Sequence, residues 1–225
     1  MSIRSFFTVK TIPTLFWSAP KTFTLTPPVT SLLMVSLGLA IFGVGEALLV
    51  AAGVGVSPWT VFAQGVSLLM GWTLGTSTFA ISCAVLLLWV PLRQMPGLGT
   101  ILNAIIIALV IDTTLPYLPQ PQSLITSVIM AACGVFVVGF GSAVYLIANL
   151  GAGPRDGLMT GLNKITSQPF MNIRIALEVI VVTIGYFMGG VVGVGTVLFA
   201  LGIGPCVSIS LHGLTLIFKP QETQR

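Results

Sequence analysis

Gly55-Val56-Ser57-Pro58-Trp59-Thr60 and Gly151-Ala152-Gly153-Pro154-Arg155-Asp156 are one phrase written twice, 96 residues apart. The same shift, with no gap, lays Gly38 on Gly134, Gly43 on Gly139, Gly45 on Gly141 and Gly65 on Gly161. Further on it lays Gly97-Leu98-Gly99-Thr100 on Gly193-Val194-Gly195-Thr196. A repeat of this kind in an apolar chain points to transporter-type folds, in which a solute path lies between the halves.

The surrounding composition says where such a chain lives. Of its 225 residues, 55% are hydrophobic and 6% charged, with a mean hydropathy of +1.06. A soluble domain carries about 25% charged residues. Several apolar stretches meet or approach the roughly 20 residues a helical span needs. Backbone polar groups in lipid must be bonded within the segment, so these stretches are helices. The alternation of a lipid-facing β-barrel is missing. The net charge of +4 comes from basic residues spread thinly over loops and ends. That pattern fits cytoplasmic flanks of spans and excludes a nucleic-acid patch. Cys83, Cys133 and Cys206 lie inside apolar runs, where cysteine acts as a small hydrophobe. Neither a disulfide nor a metal site is expected, and no cofactor.

Read along the chain, residues 1–29 form a basic tail, expected in the cytoplasm and partly on the membrane surface through Phe6, Phe7, Phe16 and Trp17. Repeat 1 covers 30–116. Its spans are expected near Thr30–Gly53, Leu74–Leu92 and Leu98–Leu115, with a short helix at Pro58–Met70. A proline-rich linker, 117–123, leads to repeat 2 at 124–218. There the spans are expected near Leu124–Leu150, Ile173–Met188 and Val194–Phe218, with a short helix at Pro154–Thr166. A cytoplasmic tail, 219–225, ends the chain. Three crossings per half invert the second half. With the N-terminus inside, every Lys and Arg then falls inside, including Arg93, Lys164 and Arg174. If the short helices also crossed, giving eight spans, Arg93 and Arg155 would move outside, so six spans fit the positive-inside rule better. The expected fold is an all-α polytopic membrane protein. It consists of two inverted-topology repeats, each of three transmembrane helices plus one short re-entrant or interfacial helix.

The two short helices supply the candidate site. Ser57 or Gly153 stands at the N-cap, and Pro58 or Pro154 at the first helical position. A helix start offers free N–H groups and partial positive charge to an anion. Interrupted segments at matching positions of two halves are the best sequence pointer to a transporter site. Ser57, Pro58, Thr60, Gly153, Pro154, Arg155 and Asp156 are therefore the solute-binding candidates. Arg155 could grip a carboxylate or phosphate with two parallel hydrogen bonds. The plainer reading is that Gly and Pro break the chain at the membrane surface, with Arg155 and Asp156 a solvated pair. Glu46, deep in the first span, is a proton-coupling candidate, because ionisable groups there are functional by default; its structural alternative is a bond to a neighbouring helix. Arg174 and Glu178, four apart on a helix face, read as an ion pair at the path's mouth. Asp112 and His212 lie near span ends and read as interfacial. Signatures of enzymes such as HExxH, GxSxG or a Walker loop do not occur.

These motifs, with Pro96-Gly-Leu-Gly-Thr-Ile-Leu-Asn103, Gly151–Met159, the Arg174/Glu178 pair and Gly193–Thr196, resemble the YczE-type (YczE/YyaS/YitT-like) bacterial membrane proteins. The resemblance spans about Leu32 to Pro205. It implies an integral cytoplasmic-membrane protein of a family without a settled biochemical activity.

The expectation is a small transporter or facilitator of the bacterial inner membrane, with both termini cytoplasmic and no enzymatic activity. It would carry a small solute, an anion being the kind that helix starts suit. Its partners are the lipid bilayer and that solute, not nucleic acid; a homo-oligomer or a membrane partner stays open. The alternative is an accessory or scaffold protein that stabilises a membrane complex without transport.

Overall fold

A computed structural model describes residues 12–24 and 26–218. Those residues form eight α-helices and no strand: α1 Val29–Ala52, α2 Pro58–Met70, α3 Leu74–Trp89, α4 Leu98–Thr114, α5 Leu124–Ile147, α6 Pro154–Thr166, α7 Phe170–Phe187 and α8 Val194–Ile217. A 3-10 turn, Leu115–Tyr117, follows α4. Helices α1, α5, α7 and α8, and α4 continued through Tyr117, are long and apolar enough to cross a membrane. At 13 residues, α2 and α6 reach about 20 Å at 1.5 Å per residue, short of a hydrocarbon core of about 30 Å. Helix α3 has only 16 residues; it meets α2 at a bend of 111°, and the bent pair together counts as a sixth candidate span.

Large apolar side chains remain exposed along the outer faces, among them Leu109 on α4, Ile129 on α5, Val179 on α7 and Leu201 on α8. Faces this apolar would drive aggregation in water; in lipid they face their own kind. The inside is closed by glycine. On α1 and α5, Gly38 meets Gly141 while Gly45 meets Gly134. One contact sequence ascends as the other descends, so the two helices run antiparallel. A Cβ on Gly38 would fall 2.6 Å from the Tyr145 backbone N, a distance only a missing side chain permits. Small residues let helices in lipid approach closely enough for dispersion to hold them.

The two halves contact one another reciprocally. Gly99 N donates to Leu150 O at 2.7 Å, and Gly195 N donates to Val54 O at 2.8 Å; the members of one bond are the members of the other displaced by 96 residues. Residues with positive φ obey the same shift. Among the described residues they are Gly53 and Asn149, Gly55 and Gly151, Gly71 and Ser167, Arg93 and Gly189. Each pair marks the same turn in each half.

The described part of the first 29 residues is not a surface tail. Leu15 and Trp17 are fully buried, and only Phe16 of the expected surface aromatics is half exposed. Phe6 and Phe7 lie outside the described residues. The segment straps the C-terminal end of α5. Ser18 Oγ donates to Ile147 O at 2.6 Å, Ala19 N to Ala148 O at 3.0 Å, and Asn149 Nδ2 to Ala19 O at 2.9 Å. The last carbonyls of a helix have no partner within it; here the strap supplies two donors. Trp17 packs edge-on against Phe218 beyond α8, centroids 5.2 Å apart.

Candidate solute site where two helix starts meet

The chain leaves α1 through Gly53 and Gly55 and turns back at Pro58, so α2 begins beside α1 rather than beyond it. The Gly55 φ of 107° and the Gly151 φ of 121° are open to glycine at little cost, and the matching turn sends α6 back beside α5. The two starts converge. Arg155 lies over the ring of Trp59, its guanidinium carbon 5.3 Å from the centroid, a cation–π distance. Trp59 and Arg155 are themselves equivalent under the 96-residue shift, so the halves touch through the same position of each. A cavity of about 490 Å³ opens at this contact.

The start of α2 is sealed. Ser57 Oγ donates to Glu46 Oε2 at 2.9 Å and Thr60 Oγ1 donates to the same oxygen at 2.8 Å. All three residues are about 1% exposed. Ser57 occupies the N-cap as expected, but its hydroxyl does not bond the helix N–H groups; it is spent on Glu46. The other carboxyl oxygen, Oε1, is buried with no partner among the described residues. Trp59, 6% exposed, likewise keeps its indole N–H buried without an acceptor.

The start of α6 is open to the cavity. Gly153, Pro154, Arg155 and Asp156 all line it. Arg155 makes no hydrogen bond or ion pair among the described residues; the ion pair found there joins Arg174 Nε to Glu178 Oε1 at 2.9 Å, also on the cavity wall. Asp156 Oδ2 accepts from Tyr145 Oη at 3.2 Å, while its second oxygen is uncommitted. Trp89 of α3 fixes the helix itself. Its indole donates to Pro154 O at 2.9 Å, and its ring covers Gly157, where any Cβ would overlap it. Thr100 Oγ1 holds the approach to α6 by donating to Ala152 O at 2.6 Å.

The solute-binding candidates thus separate. Ser57, Pro58, Gly153, Pro154, Arg155 and Asp156 line the cavity, as do Arg174 and Glu178. Thr60 and Glu46 do not; they face each other behind it. Asp112, read as interfacial, caps α3: it accepts from Gly75 N at 2.7 Å and from the Thr73 hydroxyl. Missed by the sequence reading were Trp59, Asn103, Ser142, Tyr145 and Ser208 of the wall, and Trp89 behind it. Trp59 carried a signal, since it sits inside the repeated phrase opposite Arg155. Asn103 closes the quoted Pro96–Asn103 motif, and the others are polar or aromatic residues on apolar helices with no local mark.

Fold and cavity define a multi-pass helical membrane protein with charged groups held inside it. Residues 29–212 match the family of unknown function DUF6198, and the chain belongs to that family. It is 43% identical over 204 residues to an uncharacterised protein of Haemophilus influenzae, covering 91% of this chain and 93% of that one. To the uncharacterised membrane protein YczE of Bacillus subtilis it is 33% identical over 177 residues, 77% of this chain and 82% of YczE. YyaS of the same organism, also uncharacterised, is 26% identical over 189 residues, 82% of this chain and 90% of that protein. No solved structure matches the chain.

Proposed function

We propose that the protein is a small inner-membrane transporter or facilitator built from two inverted repeats, with a path for a small charged solute between them. The observation that carries this reading is the convergence of two helix starts, at equivalent positions of the halves, on one cavity that holds an unpaired arginine. Half-helices that meet at a repeat interface are how many transporters build a solute site. The antiparallel pairing of α1 with α5, the crossed bonds Gly99–Leu150 and Gly195–Val54, and the four matched left-handed turns all support inversion. A cytoplasmic N-terminus puts Arg93 and Lys164 on the cytoplasmic side. In this reading Arg155 grips the solute, Asp156 and the Arg174–Glu178 pair shape the path, and Glu46 anchors the α2 start, with its free Oε1 the place for a transported proton.

The test is flux. Protein reconstituted in liposomes is assayed for uptake of labelled small organic ions and zwitterions, beside empty vesicles. Wild type should exceed empty vesicles for at least one solute, and Arg155→Ala should lower that flux about tenfold, the worth of one charge-assisted contact. Flux no faster than in empty vesicles for every solute would sink the transport reading.

A further inference from the structure

Four charged residues line the cavity, Arg155, Asp156, Arg174 and Glu178, and their signs cancel. Arg174 and Glu178 are already bonded to each other. What is left over is one cation and one anion, neighbours on the first turn of α6. Among the described residues Arg155 is bonded to no carboxylate, Glu46 reaching it only through space from behind the wall, and Asp156 offers an oxygen that Tyr145 does not use. Beside apolar walls a charge is poorly screened, so one left without a counter-charge is costly. An anion bound on Arg155 would leave Asp156 beside it uncompensated, and the cavity net negative. A cation on Asp156 would leave Arg155 alone. A solute carrying both charges answers both residues and keeps the wall neutral.

The rest of the wall describes the remainder of that solute. Phe42, Ile107, Phe199 and Ile203 face the cavity from α1, α4 and α8. Ile107 and Ile203 are equivalents under the repeat, so both halves present the same apolar side chain. Two helix starts add partial positive charge at one end of this space, the end where a carboxylate would lie.

Resting on the transport reading above, we infer that the solute is a zwitterion with an apolar body, of the class of the apolar α-amino acids, its carboxylate on Arg155 and its ammonium on Asp156.

Purified full-length protein in detergent tests this with three ligands that share a body: phenylalanine, 3-phenylpropionate and 2-phenylethylamine, with leucine and methionine as further zwitterions. A ligand that binds only the folded state raises Tm. At about ten times its Kd, an apolar amino acid should raise Tm by about 3 °C, and the anion and amine at equal concentration should not. Arg155→Gln and Asp156→Asn should each abolish the shift. Each should keep the wild-type elution volume and ligand-free Tm, which separates lost binding from misfolding. Asp156→Asn should also gain a response to 3-phenylpropionate, because the competing carboxylate is gone. A wild-type response to 3-phenylpropionate that equals or exceeds that to the amino acids overturns the zwitterion and leaves an anion transporter standing. No response to any zwitterion, with liposome flux of some other solute intact, overturns the inference alone. No response together with no flux overturns both.

Discussion

The starts of α2 and α6 occupy matching positions in the two halves and line one cavity, yet one is buried and locked while the other is charged and less buried. At the α2 start, Glu46 takes both nearby hydroxyls and the residues are buried to about 1% exposure. In the second half Glu46 is replaced by Ser142, Ser57 by Gly153, Trp59 by Arg155 and Thr60 by Asp156. The lock has gone and charges stand in its place. The same backbone thus carries a buried hydrogen-bonded lock once and a pair of charges once. In a duplicated fold, one copy can hold the geometry while the other carries the chemistry.

The heaviest blow to that difference should come from Trp89→Ala. Trp89 stacks on Gly157 and bonds Pro154 O; its repeat equivalent is Gly185, which instead lets Phe62 of α2 approach. Loss of this buried ring should cost about 4 kcal/mol, read as a fall in thermal midpoint in detergent, with flux lost at temperatures where the fold survives. A drop no larger than that of an outer-face substitution such as Leu201→Ala would mean that α6 is held by something else.

Next in size is the lock. Glu46→Ala leaves the buried hydroxyls of Ser57 and Thr60 only each other, 2.9 Å apart, with one proton unsatisfied, and should cost about 2 kcal/mol. Glu46→Gln keeps an acceptor and should cost less than half of that. Ser142→Ala, at the matching position, removes only a bond to Val138 O one turn back and should stay within about 0.5 kcal/mol. Equal effects at positions 46 and 142, by thermal unfolding, would erase the distinction between sealed and open starts.

A smaller asymmetry lies at the paired threonines. Thr100 Oγ1 accepts from Gly97 N and donates to Ala152 O, whereas Thr196 Oγ1 accepts from Gly193 N at 3.3 Å and has no matching donation. Thr100→Val should therefore cost about 1.5 kcal/mol and Thr196→Val about 0.5 kcal/mol. The reverse order would show that the second break needs no tether. Smallest of all in stability is Arg155→Ala, expected within about 0.5 kcal/mol because Arg155 holds no hydrogen bond or ion pair among the described residues and acts on Glu46, Asp156 and Tyr145 only through space. On the proposed transport reading its effect falls on flux, and a large loss of Tm would recast Arg155 as structural.

Helix boundaries were legible because glycine and proline punctuate apolar runs, and the observed ends fall within a few residues of those expected. The repeat was legible where glycine stands in both copies, as at 55 and 151. At three of the four matched left-handed turns it was not, since Asn149, Ser167 and Arg93 stand where the other copy has glycine. Asparagine tolerates that backbone and the others are held in it by their neighbours. The convergence of Trp59 with Arg155 could not be read from spacing, because it depends on how α1 and α5 cross. Nor could the burial of Trp17, whose partners lie near residue 147 and at Phe218. Hydropathy along the chain says which residues leave water, not which of them leave lipid as well.

The strap on α5 also sets an order of events. Ser18 is synthesised well before Ile147, the residue whose carbonyl it holds. At ribosomal speeds of 5–20 residues per second the delay is roughly 6 to 26 s. Through that interval the first half must sit in the membrane with its own leading segment unclasped and Val54 O still waiting for Gly195. Trp17 waits longer, until Phe218 emerges. The molecule therefore closes in two stages, the strap on α5 first and the α8 contacts last, and a chain stopped before α8 would hold every group of the α6 start yet lack the Gly195–Val54 bond and the Trp17–Phe218 contact.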